Sequence, residues 1–254
     1  GGGNLSLQVH PLTQYIQEKF GMHYTQDESY YILDAKEDAH VYLGLKEGIQ
    51  PNEMISDLEF AQRGEIVFDA DKYINKFPAK KHDHFLIPAG TCHCSGKNAM
   101  VLEISATPYI FTFKLWDWQR LGLDGLPRPI NIEHGKHVIQ WDRTTDWVKE
   151  HLVNATYEVK EEGNDCKIEH TGLHELEFIE TRRYTITNSS FHKTHGTVNM
   201  LNLIDGKSAV IEGDFEPFIV HYAETFIIPA SIKEYTIKPY GCDEVKVLKA
   251  YVRS

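Results

Sequence analysis

Two segments of this chain, Phe85-Leu-Ile-Pro-Ala-Gly-Thr-Cys-His93 and Phe226-Ile-Ile-Pro-Ala-Ser-Ile-Lys-Glu234, match in pattern position for position. Three apolar residues of strand type, then Pro-Ala and a small residue, read as a strand entering a turn. Its recurrence predicts a fold built twice, as two related β-barrels. In the second copy Glu234 stands for His93 and Ser231 for Gly90, so that copy is expected to keep its fold and lose its metal half-site.

Other segments carry the same class. Leu5, Leu7 and Val9 alternate with Ser6, Gln8 and His10, so a strand here would bury the apolar set and aim the polar set at the opposite face, a barrel interior. Further strands are predicted at Ser29 to Leu33, His40 to Leu45, His84 to Ile87, Met100 to Ile104 and Ile110 to Leu115. Two helices interrupt them. Leu12, Ile16 and Phe20 recur at four-residue steps before Gly21, a residue suited to a C-cap. Pro51 opens the second, over 51–62, with Met54, Leu58 and Ala61 on one face and Gly64 as terminator. Between 122 and 133, Leu-Pro-Arg-Pro marks a non-repetitive connection and a candidate boundary. A helix near Thr144 or Thr145 follows, with Trp147, Val148 and Leu152 apolar. Strands then return at Leu176 to Ile179, Arg183 to Thr187, Thr197 to Ile204, Ser208 to Ile211, Glu224 to Ile228 and Glu244 to Val252. Gly163-Asn164-Asp165 and Asp205-Gly206 supply turns.

Composition excludes several classes of function. A formal charge of −11 over 254 residues, with no basic block, argues against a nucleic-acid partner or an anionic membrane surface. An anionic substrate would need local Lys or Arg. The four cysteines, Cys92, Cys94, Cys166 and Cys242, are too few and scattered for a disulfide framework, and a reducing cytoplasm is expected. No apolar run is long enough to span a bilayer, and no signal-peptide pattern is present. The chain begins Gly-Gly-Gly-Asn without Met, so it is expected to be a piece of a longer or processed protein whose first barrel lacks upstream strands.

The candidate chemistry is a metal site. Pro-x-Gly-x-x-His, ending at His93, is the pattern of a metal-binding β-barrel, and Gln-Val-His places His10 on a barrel-facing strand. Two imidazoles and a carboxylate hold a divalent cation of the zinc or iron type while leaving positions open. Glu28 opens the strand after Asp27, shares a face with Tyr30 and Ile32, and is the natural third ligand. Gln8 offers an amide oxygen, a weak ligand for zinc, and chemistry alone leaves it between ligand and hydrogen-bonding neighbour. With fourteen histidines in the chain, the pairs His82/His84, His170/His174 and His192/His195 are read as ordinary surface or core groups, with His82 and His84 on a solvated approach to the site. Cys92 and Cys94 bracket His93 and should point away from the metal as packing residues.

These residues resemble the type I mannose-6-phosphate isomerases, zinc enzymes of the cupin superfamily. The likeness runs through Leu-Ser-Leu-Gln8-Val-His10-Pro, Asp-Glu28-Ser-Tyr-Tyr-Ile-Leu-Asp and Tyr42-Leu-Gly-Leu-Lys46-Glu-Gly-Ile. It continues through His84-Phe-Leu-Ile-Pro-Ala-Gly-Thr-Cys-His93, Leu102-Glu103-Ile and Leu115-Trp-Asp-Trp-Gln-Arg120-Leu-Gly. It implies tandem cupin (jelly-roll) barrels: a metal-binding catalytic domain over 1–140 and a degenerate second cupin over 141–254. It also implies zinc (Zn2+) held by Gln8, His10, Glu28 and His93, and interconversion of mannose 6-phosphate and fructose 6-phosphate through an enediol. The partner implied is a small sugar phosphate; the oligomeric state stays open.

Within that reading Glu103 matches a family carboxylate near the site and is the candidate proton shuttle, while a plain outward strand Glu is an equal alternative. Lys114 and Arg120 are candidates for contact with phosphate or enediolate. Ser6 could donate to phosphate but reads first as a plain strand serine. Two positions depart from the family: Gln26 stands where a Lys usually precedes the ligand Glu, and Lys114 where an Arg is usual. One cation is lost and another changes from a planar fork to a point charge, which leaves the exact sugar and its phosphorylation open. Two other classes compete, a non-catalytic sugar-sensing cupin and a metal-dependent cupin oxygenase that would use three ligands without Gln8.

Overall fold

The computed structural model describes residues 2–107, 111–172 and 178–253. Its chain divides into two units, Gly1–Asn154 and Ala155–Ser254. The first contains β1 (Leu7–Val9), α1 (Thr13–Phe20), β2 (Asp27–Ala35), β3 (His40–Leu45), α2 (Pro51–Gln62), α3 (Ala70–Tyr73) and β4 (Ile74–Pro78). It continues with β5 (His84–Ile87), β6 (His93–Ser95), β7 (Ala99–Ala106), β8 (Phe113–Trp116), α4 (Ile132–Gly135) and α5 (Thr145–His151).

Two antiparallel sheets form this unit, one in the order β4-β3-β6-β1-β8 and one in the order β5-β2-β7. The larger sheet is covered on both faces. Leu7, Val9, Cys92, Cys94, Phe113 and Leu115 share one cluster with Met54, Leu58 and Ala61 of α2. Val41 and Leu43 face the other way and join Tyr30, Ile32, Phe85 and Ile87 of the small sheet in a second cluster. Alternation along each strand thus sorts side chains between a helix-covered core and the space between the sheets. The predicted burial of Leu5 does not hold. It precedes β1 and is 50% exposed, because the ladder to β8 begins only at Leu7.

The helices follow their sequence signals. α1 ends at Gly21, whose φ of +66° is the left-handed cap, with Gly21 N–H donating to Gln17 O and Met22 N–H to Ile16 O. α2 starts at Pro51 and buries Met54, Leu58 and Ala61. α5 lies in the first unit, where Val148 and Leu152 join the core between the sheets.

The second unit contains β9 (Tyr157–Val159), β10 (Lys167–His170), β11 (Ile179–Ile186), β12 (Ser190–Lys193) and β13 (Asn199–Asp205). It continues with β14 (Ser208–Gly213), β15 (Phe215–His221), β16 (Thr225–Ile228), β17 (Glu234–Pro239) and β18 (Val245–Val252). A sheet in the order β16-β13-β18-β11-β10-β9 and one in the order β12-β17-β14-β15 share a core of Tyr184, Leu203, Ile211, Ile237 and Val247 among others. The protein is mostly β with a few short helices, as expected. The barrels are another matter: no closed barrel is found among the described residues, and each unit is a pair of antiparallel sheets around its core. Parts of two predicted strands, at residue 110 and at 176–177, lie outside the described residues, as does His174.

Candidate metal centre

One row of side chains across the large sheet sets up the site. Leu43 of β3 pairs with His93 of β6, His93 with Gln8 of β1, and Gln8 with Lys114 of β8. Since Leu43 faces the core between the sheets, His93, Gln8 and Lys114 face it too. From the small sheet Glu28 answers them, on the same face of β2 as Tyr30 and Ile32, and across the β2–β7 ladder Tyr30 pairs with Glu103 and Glu28 with Ser105.

The Pro-Ala-Gly turn holds His93 in that row. Gly90, at a φ of +87°, donates its N–H to the His10 carbonyl at 2.9 Å and accepts from Gln140 N–H at 2.9 Å. Arg143 Nη1 donates to the carbonyls of Pro88 and Ala89 and to Thr91 Oγ1, and the Asp27 carboxylate accepts from Ala89 N–H. Cys92 and Cys94 point into the helix-covered core, where burial pushes both thiols up to about 12, so neither serves as a thiolate ligand.

Ligand atoms of His10, Glu28 and His93 all lie within 4.8 Å of one another, and the three residues are buried. The Glu28 carboxylate stands 3.3 Å from His10 Nε2 and 3.1 Å from His93 Nε2. Each ring is fixed from behind: His10 Nδ1 meets the Phe111 carbonyl at 3.0 Å and His93 Nδ1 the Thr91 carbonyl at 2.8 Å. A carbonyl only accepts, so Nδ1 carries the proton and, in the neutral ring, the Nε2 lone pair turns to the cluster. Gln8 brings its amide to 3.3 Å from His93 Nε2.

The cluster is electrostatically short of positive charge. Burial pushes Glu28 up, but the two imidazoles outweigh it and hold the carboxyl well below its usual range. Burial pushes His10 down, yet Glu28 draws it above the ordinary histidine value. His10 Nε2 and Glu28 Oε1 are buried without a hydrogen-bond partner among the described residues. Oriented imidazole lone pairs and a carboxylate are the donor set that a divalent cation of the zinc or iron type takes, and the backbone carbonyl behind each ring fixes its orientation.

The other expected residues separate into two places. Glu103 lies beside the cluster with part of its surface open to solvent and accepts from Ser105 Oγ at 2.6 Å; partial desolvation of its carboxyl and the Glu28 charge raise that group above the usual carboxylate value. Lys114 joins the row through Gln8 and makes no ion pair among the described residues. Arg120 is not brought to the cluster. Its guanidinium pairs with Asp117 at 3.0 Å and donates to the Asn4 carbonyl. Ser6 Oγ donates to the same Asp117 carboxylate at 2.8 Å. Nor does His84 line an approach to the site: it is buried on the outer face of the small sheet, paired with Tyr31, whose hydroxyl meets His82 Nδ1 at 3.0 Å. Two residues named in the sequence take roles at the site that were not assigned to them there. Gln26 donates from Nε2 to Glu28 Oε2 at 2.7 Å and accepts from Phe111 N–H at 3.2 Å, which steadies the carboxylate. The Tyr30 hydroxyl is buried without a hydrogen-bond partner among the described residues, its ring centroid 6.1 Å from that of His93. The signal for Tyr30 was its two-residue step from Glu28.

No protein-family model matches the chain. It is 27% identical over 235 residues to the Probable mannose-6-phosphate isomerase GmuF of Bacillus subtilis, a match covering 92% of this chain and 68% of that protein. Mannose-6-phosphate isomerase ManA of the same organism is 24% identical over 244 residues, covering 96% and 68%. The chain resembles the mannose-6-phosphate isomerases. A crystal structure of the B. subtilis mannose 6-phosphate isomerase superimposes with a TM-score of 0.78 at 19% identity, over 98% of this chain and 72% of that one. A phosphomannose isomerase variant from Salmonella typhimurium gives 0.70 at 11% identity, over 99% and 77%. At such identities the structural likeness is one of fold. No described helix is long and apolar enough to cross a membrane.

Proposed function

We propose that this chain is an aldose–ketose isomerase that interconverts mannose 6-phosphate and fructose 6-phosphate at the His10–Glu28–His93 cluster. The observation that carries the reading is that cluster, with Nε2 lone pairs and a carboxylate converging beside a proton-accepting Glu103 whose carboxyl is raised. Homologues named mannose-6-phosphate isomerase favour it over a sensing role. The finer fold assignment belongs here too: tandem jelly rolls of cupin type, with catalysis in the unit Gly1–Asn154 and a degenerate copy in Ala155–Ser254. Four free thiols suit a reducing cytoplasm.

His10, Glu28 and His93 would hold the metal, with Gln8 offering its amide oxygen, and zinc is the ion we assign. When bound, such an ion supplies Lewis acidity toward the sugar's carbonyl and hydroxyl oxygens. The protein's own groups move the proton. Glu103 takes the hydrogen on C2 as a proton, leaving an enediolate, and returns it to C1, while the hydroxyl proton of O2 is lost and one is gained at O1. A carboxyl raised toward the working pH both accepts and returns a proton more readily than an ordinary one. Lys114, one strand from Gln8, places a fixed positive charge for the phosphate or the enediolate oxygens. The Tyr30 hydroxyl, kept neutral by burial and by Glu28, remains a donor. We assign Arg120, held by Asp117, to ordering the loop after β8.

The test is a coupled assay of fructose 6-phosphate formation from mannose 6-phosphate, before and after chelation and with zinc restored. Glu28→Gln and His93→Ala are measured alongside for metal content. Zinc-restorable turnover, with metal lost from both variants, is expected. Full metal content in both variants would remove the ligand assignment, and no turnover by metal-replete protein would remove the reaction.

A further inference from the structure

Among the described residues Lys249 is the only buried lysine or arginine, 3% exposed, and it lies in the second unit, outside the metal centre. It sits on β18 opposite Arg182 of β11. Its ammonium lies over the Tyr251 ring at 4.8 Å from the centroid, with the Tyr235 and Tyr184 rings at 5.9 and 6.0 Å. Its hydrogen bond is to the Lys193 carbonyl at 3.3 Å. No carboxylate lies within ion-pair distance of it among the described residues. The neighbouring Glu161 is already committed, accepting from Arg182 Nη1 and from the Tyr184 hydroxyl, each at 2.6 Å.

Ring faces and one carbonyl compensate a desolvated ammonium only in part. Burial lowers Lys249 to about 8, so at neutral pH it is still a cation. Around it lies a cavity of about 290 Å³ whose lining includes Lys249, Arg182, Lys193, Tyr251, Glu161 and Glu162. Behind the cavity lining, Asn199 Nδ2 and His192 Nδ1 are buried without hydrogen-bond partners among the described residues. Asn199 pairs with Tyr251 across the β13–β18 ladder and accepts from the Tyr235 hydroxyl through Oδ1 at 2.9 Å. His192 stacks on Tyr235 and meets Tyr184 edge-on, two of the rings that surround the ammonium.

A buried cation lacking a counter-ion and a second cation at the rim together call for an acceptor that carries negative charge. The cavity far exceeds one water, so the charge comes on a larger body. We propose that this cavity of the second unit binds a small metabolite through its oxyanion, a phosphate monoester or a carboxylate, with Lys249 as the buried counter-ion and Lys193 at the entrance. The site is independent of the metal centre and of the reaction assigned to it.

Calorimetric titration of the full chain tests this, in a Lys114→Ala background that weakens phosphate binding at the first unit. The probes are inorganic phosphate, fructose 6-phosphate and malonate. We expect binding of fructose 6-phosphate or malonate that weakens about tenfold or more in Lys249→Met and a few-fold in Lys193→Glu. Preference for fructose 6-phosphate assigns a phosphate site, and preference for malonate a carboxylate site. No binding by any probe overturns the proposal, as does equal binding by folded Lys249→Met. Should that variant not fold, unchanged binding by Lys193→Glu, altered only at an exposed side chain, overturns it.

Discussion

Replacing Gly90 by alanine is expected to weaken the first unit and its hold on metal together. At the Gly90 φ of +87° a side chain is strained, and an added Cβ would lie 2.6 Å from Gln140 Cγ, 3.0 Å from the Val138 carbonyl oxygen and 3.1 Å from Leu12 Cδ2. Gln140 can swing aside, but the Val138 carbonyl is backbone and cannot. A non-glycine residue in this backbone region costs about 1–3 kcal/mol, and forcing a methyl into packed surroundings about 1–3 kcal/mol more. A total of about 3 kcal/mol, set against a urea slope of about 2 kcal/mol per molar, lowers the unfolding midpoint by about 1.5 M. The turn carries His93, and Gly90 N–H bonds to the His10 carbonyl, so metal retention during dialysis should fall as well. The second copy provides a control. Ser231 stands at this turn position and is not among the positive-φ residues, so Ser231→Gly should bring no gain and cost at most about 1 kcal/mol. A Gly90→Ala midpoint within about 0.2 M of the parent, with metal retained, would refute the reasoning.

Glu103→Gln is expected to lower kcat about 10²–10⁴-fold with KM little changed; a similar kcat would leave Glu103 as a bystander at the mouth of the site. Lys249 ties stability to alkaline pH. Its folded value of about 8 lies below the ordinary 10.5, so between these values the unfolded chain binds more protons and stability rises with pH. The rise is about 3 kcal/mol. Lys249→Met should remove it, and unfolding midpoints at pH 7.5 and 10 that rise equally in parent and variant would contradict this.

Much of the centre was legible because a strand's two-residue period assigns faces without knowledge of the partner strand. Gln8 and His10 followed from Leu7 and Val9, and Glu28 from Ile32. Gly90 announced the turn because few residues tolerate its backbone. Cross-strand neighbours were less accessible. That Lys114 lies beside Gln8 is a matter of ladder register, and that Gln26 braces Glu28 depends on the Phe111 backbone reaching back to it. Arg120 shows the limit from the other side: its residue type suited an anion, but Asp117, three residues away, claims it. In the second unit the strands β9 and β12 are too short for a period to show, and the alternation of Tyr235 and Ile237 with Thr236 and Lys238 in β17 was left unread. The cavity around Lys249 draws on the paired strands β11 and β18 and on β12 of the other sheet, which only the folded chain brings together.

The thiols on either side of His93 give the first unit an internal clock. Cys92 and Cys94 are buried and held in the unreactive protonated form, whereas Cys166 and Cys242 are half-buried. An alkylating reagent should therefore label two sulfurs promptly and the other two only when the sheet bearing His93 parts from its helices. The slow phase counts such openings one molecule at a time. Because the labelled strand carries His93, slowing of that phase by added metal would report occupancy without any substrate.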